Sequence, residues 1–255
     1  MKIIISPAKR MKYDDYGEEF FTKPAFCDEA KIIAEKMAAL QIDTLKNVLK
    51  TNDKLTADAY NMYRGFFTRE DYSAAILSFD GIQYKYMAPT VFDDDMFRYV
   101  SENVYILSAL YGALRPFDTV LPYRLEMNSP VKALGLNSMY DFWGDKIANE
   151  VYKDDDLVLG LTSAEYTKSI YKYVTGDRRF VYVSFGELID GKVVEKGVYV
   201  KMARGDMVRY LAENNISDIE EVKGYNGLGY VYHPELSNDE RITFIKPQSK
   251  NIKGG

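Results

Sequence analysis

The stretch Lys2-Ile3-Ile4-Ile5-Ser6-Pro7-Ala8-Lys9 at the start of the chain decides how the fold is interpreted. Its apolar run is short and stops at a proline, so residues 2–6 are predicted to form a buried strand. Polar side chains that directly follow such a strand are the usual place for a binding site in an alternating α/β chain. Ser6 and Lys9 would offer a hydroxyl and a cation to an anionic group there. The alternative is a plain strand exit with a solvated lysine.

Other segments alternate between predicted strands and predicted helices. The predicted strands are 104–107, 157–161, 179–185 and 241–245, with a hairpin at 188–190 and 193–200 and a strand that ends the segment 72–79. The predicted helices are 28–40, 42–50, 55–67 (capped by Thr51 or Asn52), 93–103, 137–152 and 203–214. This alternation favours an α/β or α+β fold with a mixed sheet covered by helices. No linker divides the chain, so we expect one domain over residues 1–255, with a frayed tail at 250–255.

Composition and charge exclude several classes of protein. The 255 residues carry 33 Lys and Arg against 38 Asp and Glu, a net charge of −5 that argues against a DNA-coating protein but allows a local basic cleft. Because Cys27 and His233 are the only cysteine and histidine, a disulfide framework and thiolate-rich or His-rich metal sites are excluded. We expect neither a metal nor a cofactor. No apolar stretch approaches the roughly 20 residues that span a bilayer, so we expect a cytoplasmic protein without a membrane segment.

A second candidate site lies in the segment 115–126, after the strand predicted at 104–107. Pro116 stiffens the chain next to Arg115, which helps to hold that guanidinium in place. Arg124 and the carboxylates Asp118 and Glu126 complete a set of charges that could form a pocket wall. The same charges could equally form internal salt bridges that hold a long loop.

A third candidate site begins at Thr162-Ser163, directly after the strand predicted at 157–161. Either hydroxyl could cap a following helix that carries Glu165 and Lys168, and helix N-termini bind anions through their free N–H groups. The alternative is a capping box, in which Glu165 only completes the cap begun by Thr162.

The fourth candidate site is Val200-Lys201-Met202-Ala203-Arg204-Gly205, where a strand is predicted to lead into a helix. Lys201 and Arg204 could clamp a phosphate at the start of that helix. The alternative is a charged, solvated helix face. A glycine inside a helix start is unusual and weakens this alternative.

Taken together, several blocks of this sequence resemble the YaaA peroxide-stress family of bacteria over the full length of the chain. The blocks are Ile4-Ile5-Ser6-Pro7-Ala8-Lys9, Leu107-Ser108 with Leu110-Tyr111-Gly112, Leu114-Arg115-Pro116 with Asp118, Pro122-Tyr123-Arg124-Leu125-Glu126-Met127, Phe142-Trp143-Gly144-Asp145, Ser163 with Glu165-Tyr166 and Lys168-Ser169, Lys201 with Ala203-Arg204-Gly205 and Met207, and Gly224-Tyr225-Asn226 with Gly229-Tyr230. Their shared order along the chain makes the resemblance specific.

The resemblance implies a role in survival of peroxide stress, by keeping free intracellular iron low and so limiting Fenton damage to DNA. It also implies a DNA-binding protein of unusual mixed α/β architecture, with a positively charged cleft and a helix-hairpin-helix-like element. In this chain the element would be residues 40–67, with Lys46, Lys50 and Lys54 around a hinge that contains no glycine.

These residues are consistent with three functions. The first is DNA binding in a basic cleft, by cations and hydroxyls at Ser6, Lys9, Arg115, Arg124, Ser163, Lys168, Lys201 and Arg204, with Lys46, Lys50 and Lys54 as weaker candidates. The second is an enzyme or binder of a phosphate-bearing small molecule, in which Glu126, Asp145 or Glu165 acts as acid or base. Direct iron sequestration ranks last, because carboxylates alone bind iron weakly. These patterns do not decide between an enzyme and a binding protein.

Overall fold

A mixed sheet forms the centre of the computed structural model, which describes residues 1–14, 16 and 18–247. The strands are β1 Lys2–Ile5, β2 Arg10–Met11, β3 Ser73–Ala74, β4 Phe79–Asp80, β5 Val104–Ser108, β6 Gly112–Leu114, β7 Thr119–Val120, β8 Leu157–Leu161, β9 Arg179–Ile189, β10 Lys192–Val194, β11 Val231–Tyr232 and β12 Arg241–Ile245. The tail predicted at 250–255 lies outside the described residues.

Helices of four to seventeen residues connect these strands. The α-helices are α1 Cys27–Ala38, α2 Ile42–Leu49, α3 Asp53–Arg64, α4 Ala75–Ser78, α5 Ile82–Met87, α6 Asp94–Asn103, α7 Met139–Trp143, α8 Lys146–Val151, α9 Ala164–Tyr171, α10 Gly197–Glu213 and α11 Ile219–Val222. Single 3₁₀ turns span Glu18–Phe20, Pro89–Val91, Val131–Leu134, Gly227–Gly229 and Pro234–Leu236. Within the described part of the chain, no helix combines the length and the apolar character needed to cross a membrane.

The central sheet has the strand order β11-β12-β9-β8-β1-β5-β6, and β10 adds an eighth strand as the hairpin partner of β9. The five strands from β12 to β5 are parallel, and β11 and β6 pair antiparallel at the two ends. Ile4 of β1 lies opposite Tyr105 of β5 and Gly160 of β8. Residues 3–5 are fully buried, as expected for a parallel strand covered on both faces. The predicted mixed sheet covered by helices is confirmed.

The connections that follow β1 and β8 lead to opposite sides of the sheet. The chain that leaves β1 reaches its next strand of the central sheet, β5, on one side, whereas the chain that leaves β8 reaches β9 on the other side. The carboxyl ends of β1 and β8 therefore border a crevice that no direct crossover covers. In open α/β sheets such a switch point is the preferred place for a ligand.

Helix α10 packs against α5 with almost no space between the two backbones. A Cβ atom built on Gly205 of α10 would lie 1.9 Å from the carbonyl oxygen of Gln83 in α5. The prediction that this helix begins at Ala203, after a strand, is wrong, because α10 begins at Gly197. Valine and tyrosine at 198–200 favour a strand locally, but the buried positions from Val200 to Leu211 recur at helical spacing and determine the outcome.

The segment predicted to form a helix-hairpin-helix-like element contains the helix pair α2 and α3. Lys50 ends α2 with a left-handed φ of 50°, in the conformation that glycine commonly adopts after a helix. The predicted cap is confirmed at Asn52, whose Oδ1 accepts a hydrogen bond from the N–H of Leu55 at 3.0 Å. Lys46 pairs with Asp53 in the first turn of α3, so a carboxylate lies where a phosphate would approach the helix N-terminus.

Three further predicted elements are wrong in their bounds. The helix predicted at 137–152 is two helices, α7 and α8, because Gly144 between them has a left-handed φ of 52°. The segment 72–79 is predicted to begin as a helix end or turn and to become a strand, but it contains β3, α4 and only the first residue of β4. The second strand of the hairpin ends at Val194, because the chain then turns into α10.

The close contact between α5 and α10 predicts that alanine in place of Gly205 destabilises the protein. Gly205→Ala should lower the free energy of unfolding by about 3 kcal/mol or more, because the new methyl group overlaps the backbone of Gln83. Gly197→Ala in the same helix has open space around the new methyl group and should be neutral or stabilising, by up to about 1 kcal/mol. Urea denaturation of both variants measures the difference. Equal stability of the two variants would contradict the close approach.

Candidate functional site

A cleft of about 420 Å³ lies at the carboxyl ends of β1 and β8. It brings together eight of the residues predicted to form a site, although they are spread over four sequence segments: Ser6, Lys9, Arg124, Glu126, Ser163, Glu165, Lys201 and Arg204. Further lining residues are Pro7, Ala8, Arg10, Asp80, Gly81, Ile82, Gln83, Tyr84, Tyr123, Leu125 and Tyr166. The cleft therefore coincides with the switch point of the sheet.

The ends of β1 and β8 are tied together by two serines. The Oγ of Ser6 accepts a hydrogen bond from the backbone N–H of Ser163 at 2.9 Å and lies 3.5 Å from the Oγ of Ser163. The phenol of Tyr84 donates to the carbonyl oxygen of Ser6 at 3.0 Å. These bonds fix the start of the loop after β1, which carries Lys9 into the cleft.

The capping box, which is the alternative to an anion-binding helix start at α9, does not form. The hydroxyl of Thr162 bonds to that of Thr167 at 2.6 Å, and the Ser163 hydroxyl makes no capping bond. Glu165 instead reaches across to the segment after Glu126, where its Oε1 accepts a hydrogen bond from the N–H of Asn128 at 3.0 Å. This contact holds the carboxylate of Glu165 at the cleft.

Glu165 is half-buried, and its carboxyl group is electrostatically perturbed. Burial raises the pKa of Glu165, and the N–H of Asn128 opposes the rise by stabilising the charged form. The charge of Glu126 raises the pKa further, and that of Lys9 lowers it. A carboxyl group with a raised pKa can exchange a proton closer to neutral pH than an ordinary glutamate.

The wall formed by the loop after β1 and the segment 123–126 carries charges of both signs. Lys9 pairs with Glu126 at 2.6 Å, and Arg10 pairs with Asp80 at 2.6 Å. The Nη1 of Arg124 lies 3.5 Å from the carbonyl oxygen of Lys9, while its buried Nε has no hydrogen-bond partner. This wall can contact both an anionic group and a hydrogen-bond donor of a ligand.

The wall formed by α10 carries cations only. Arg204 is 5% exposed and donates from Nη2 to the phenol oxygen of Tyr182 at 2.6 Å, while its buried Nε has no partner. Burial raises the pKa of Tyr182, so the phenol stays protonated and leaves the charge of Arg204 uncompensated. Neither Arg204 nor the exposed Lys201 forms an ion pair with a carboxylate in the described part of the chain. A buried guanidinium without a carboxylate is uncommon and suits an anionic ligand.

The other predicted site residues lie outside this cleft. Arg115 pairs with Glu150 at 3.7 Å and lines a separate groove, and its backbone N–H donates to the buried carboxylate of Asp118. Lys168 lies on another face of α9, with its Nζ 4.5 Å from the ring centre of Tyr140. Asp145 is exposed at the start of α8. The three lysines Lys46, Lys50 and Lys54 lie on the α2–α3 pair.

Several residues that shape the cleft are not among the predicted site residues. Gln83 donates from Nε2 to the carbonyl oxygen of Leu161 at 3.3 Å, and Arg10 and Asp80 meet through the pairing of β2 with β4. Tyr182 lies inside a predicted strand. The two-residue period of a strand shows only that the Tyr182 side chain points to the opposite face of the sheet from those of its two neighbours. None of these residues belongs to a motif. Within the described residues, no three His, Cys, Asp or Glu side chains come together as a metal site.

Comparison with known proteins identifies the family of the chain. The profile of a family described as "Peroxide stress protein YaaA" matches residues 1–236. A UPF0246 protein of Desulfitobacterium hafniense (strain Y51) is 45% identical over 98% of this chain and the whole of its own length. UPF0246 proteins of Limosilactobacillus reuteri (strain DSM 20016) and Ligilactobacillus salivarius (strain UCC118) are 43% and 39% identical, each over 96% of this chain and 98% and 100% of their own. The chain therefore belongs to the YaaA peroxide-stress family.

Proposed function

We propose that the protein serves the oxidative-stress role of its family by binding a nucleotide-like, phosphate-bearing molecule in the cleft, with Glu165 as its acid/base group. The buried guanidinium of Arg204 is the observation that carries this proposal. Its only hydrogen-bond acceptor among the described residues is a neutral phenol, and its Nε has none. A phosphate would accept these hydrogen bonds and neutralise the charge.

The size and lining of the cleft suit a small ligand. Its volume of about 420 Å³ falls within the roughly 300–1,000 Å³ of small-molecule sites. The rings of Tyr84, Tyr123 and Tyr166 are buried at its floor, and burial raises the pKa of each phenol, so all three stay neutral. Neutral rings offer apolar surface to a sugar or a base, while the cations of α10 hold the phosphate.

Glu165 supplies the group that can move a proton. Glu165 lines the cleft together with Ser6 and Ser163, and burial raises its pKa towards the range in which acid/base catalysis is efficient. Glu126 pairs with Lys9 at 2.6 Å and is suited to hold the ligand. We therefore assign proton transfer to Glu165 and not to Asp145, which lies outside the cleft.

DNA binding in the same cleft is the second candidate function. It is favoured by the exposed cations Lys9, Arg10 and Lys201 at the rim of the cleft, which a phosphate backbone could reach. It ranks below a nucleotide because Asp80 and Glu165 line the same cleft and repel a polyanion. With either ligand, the proposed physiological outcome is that the protein limits damage by free iron.

Replacement of Arg204 separates ligand binding from stability. Arg204→Met should lower the affinity for a nucleoside monophosphate about tenfold or more, because a hydrogen bond to a charged group contributes about 1.5–3 kcal/mol. The free energy of unfolding should not fall, because the variant removes a buried charge that has no carboxylate partner. Calorimetric titration and urea denaturation measure the two effects.

Arg209→Met is the matched control, since Arg209 lies on the same helix and pairs with Glu213 away from the cleft. It should leave the nucleotide affinity within about twofold of the unaltered protein. Unchanged affinity in Arg204→Met would exclude phosphate binding by this guanidinium, and a large loss of its stability would show a structural role instead.

The salt dependence of thermal stabilisation distinguishes the two candidate functions. A nucleotide held in the cleft should raise the melting temperature at both low and moderate salt, and Lys201→Ala should weaken the effect. Stabilisation by duplex DNA should fade steeply with salt, because it depends on counterion release. If duplex DNA alone stabilises the protein, and does so only at low salt, the nucleotide proposal fails and DNA binding takes its place.

The raised pKa of Glu165 predicts a pH-dependent effect of Glu165→Gln on stability. The folded state holds the proton of Glu165 more tightly than the unfolded state, so this group favours folding below its unfolded pKa and loses that contribution as the pH rises through its folded pKa. The variant should therefore gain stability relative to the unaltered protein as the pH rises from about 4 to 7. Urea denaturation across this range measures the trend, and the opposite slope would show that Glu165 is stabilised as a carboxylate.

A further inference from the structure

A second cavity, of about 790 Å³, shares the wall formed by α9 with the cleft. Glu165 of this helix lines the cleft, whereas Ala164, Thr167 and Lys168 line the second cavity. Tyr182 also lines the second cavity, and its phenol oxygen accepts the hydrogen bond from Arg204 of the cleft. The two cavities are therefore neighbours joined at one hydrogen bond.

One glycine makes room for an aromatic ring of the second cavity. A Cβ atom on Gly160 of β8 would lie 2.4 Å from the ring of Phe180, so only glycine admits this ring at its place in the cavity lining. The ring of Tyr171 meets Phe180 edge-on at 5.9 Å and is half exposed. The cavity thus offers aromatic surface on which a planar heterocycle can stack.

The cations of the second cavity are held by tyrosine rings and not by carboxylates. Lys168, Lys172 and Arg241 lie 4.5, 4.8 and 5.8 Å from the ring centres of Tyr140, Tyr173 and Tyr182. None of the three cations forms an ion pair within the described residues, whereas nearby surface lysines such as Lys196 do. A ring attracts a cation without neutralising its charge, so the cavity keeps positive charge for an anion.

Two carboxylates also line the second cavity, and they suit the hydrogen-bond donors of a nucleobase. The Oε1 of Glu195 accepts a hydrogen bond from Ser184 at 2.7 Å, and Glu240 lies at the rim beside Arg241. Carboxylates accept hydrogen bonds from exocyclic amino groups. Aromatic faces, uncompensated cations and a few acceptors together match a nucleobase that carries a phosphate.

We propose that the second cavity binds a further nucleotide unit, so that a dinucleotide spans both cavities across Tyr182. This inference rests on the proposed function, in which the cleft binds the first unit. A second stacked base and a second phosphate should raise the affinity for a dinucleotide well above that for a mononucleotide.

Calorimetric titration with AMP and with the dinucleotide pApA tests the inference. The unaltered protein should bind pApA at least tenfold more tightly than AMP. The double variant Lys168→Gln/Arg241→Gln should bind the two ligands with affinities within about threefold of each other, while its affinity for AMP stays unchanged. Both substitutions are at exposed positions, and the melting temperature of the variant shows whether it folds.

Arg64→Gln is the matched control, because Arg64 lies over the ring of Tyr60 at 4.9 Å but lines neither cavity. It should preserve the preference for pApA. Equal affinities of the unaltered protein for AMP and pApA, or a loss of preference in Arg64→Gln as well, would overturn the second site. Absence of AMP binding would instead contradict the proposed function, and the second site would then stand only if the double variant weakened pApA binding at least tenfold.

Discussion

The parallel pairing of β1 with β5 on one side and β8 on the other is the constraint on which the rest of the structure depends. β1 is short, but its three isoleucines are fully buried and its register is fixed by two neighbours at once. A shift by one residue would turn every side chain to the opposite face of the sheet. The pairing therefore determines that Ser6 meets Ser163, and through these residues it places the loop to Lys9 next to the start of α9.

The charges of the molecule are arranged so that an acidic protein presents local positive sites. The chain has a net charge of −5, and some of its surface cations are paired with carboxylates, as Arg209 is with Glu213. Lys9 and Arg10 of the cleft follow this pattern, whereas other cations of the two cavities contact tyrosine phenols or rings, most clearly Arg204. Tyrosine keeps a cation in position without cancelling its field, so these cations keep their charge in a protein that is acidic overall.

The sequence was sufficient to predict the segments that form the cleft, but not their packing. Ser6 and Ser163 follow buried strands as predicted, because the apolar runs that mark β1 and β8 are local properties of the sequence. Arg115 and Lys168 belong to the same blocks of sequence, yet the β5–β6 hairpin and the face of α9 direct them elsewhere. Tyr182 was missed because a strand residue becomes a site residue only through the helix that packs beside it, which is a tertiary contact with no local signal.

The contact of Gly205 with Gln83 also bears on how a ligand would bind. Two helices whose backbones touch cannot slide or separate independently, so the guanidinium on one and the residues at the start of the other keep a fixed spacing whether or not a ligand is present. A cleft assembled in advance loses little conformational entropy when it is filled, so more of the interaction energy is available as affinity. Under the proposed function, we expect the same property to make the cleft selective, because it cannot reshape itself around a ligand of the wrong size.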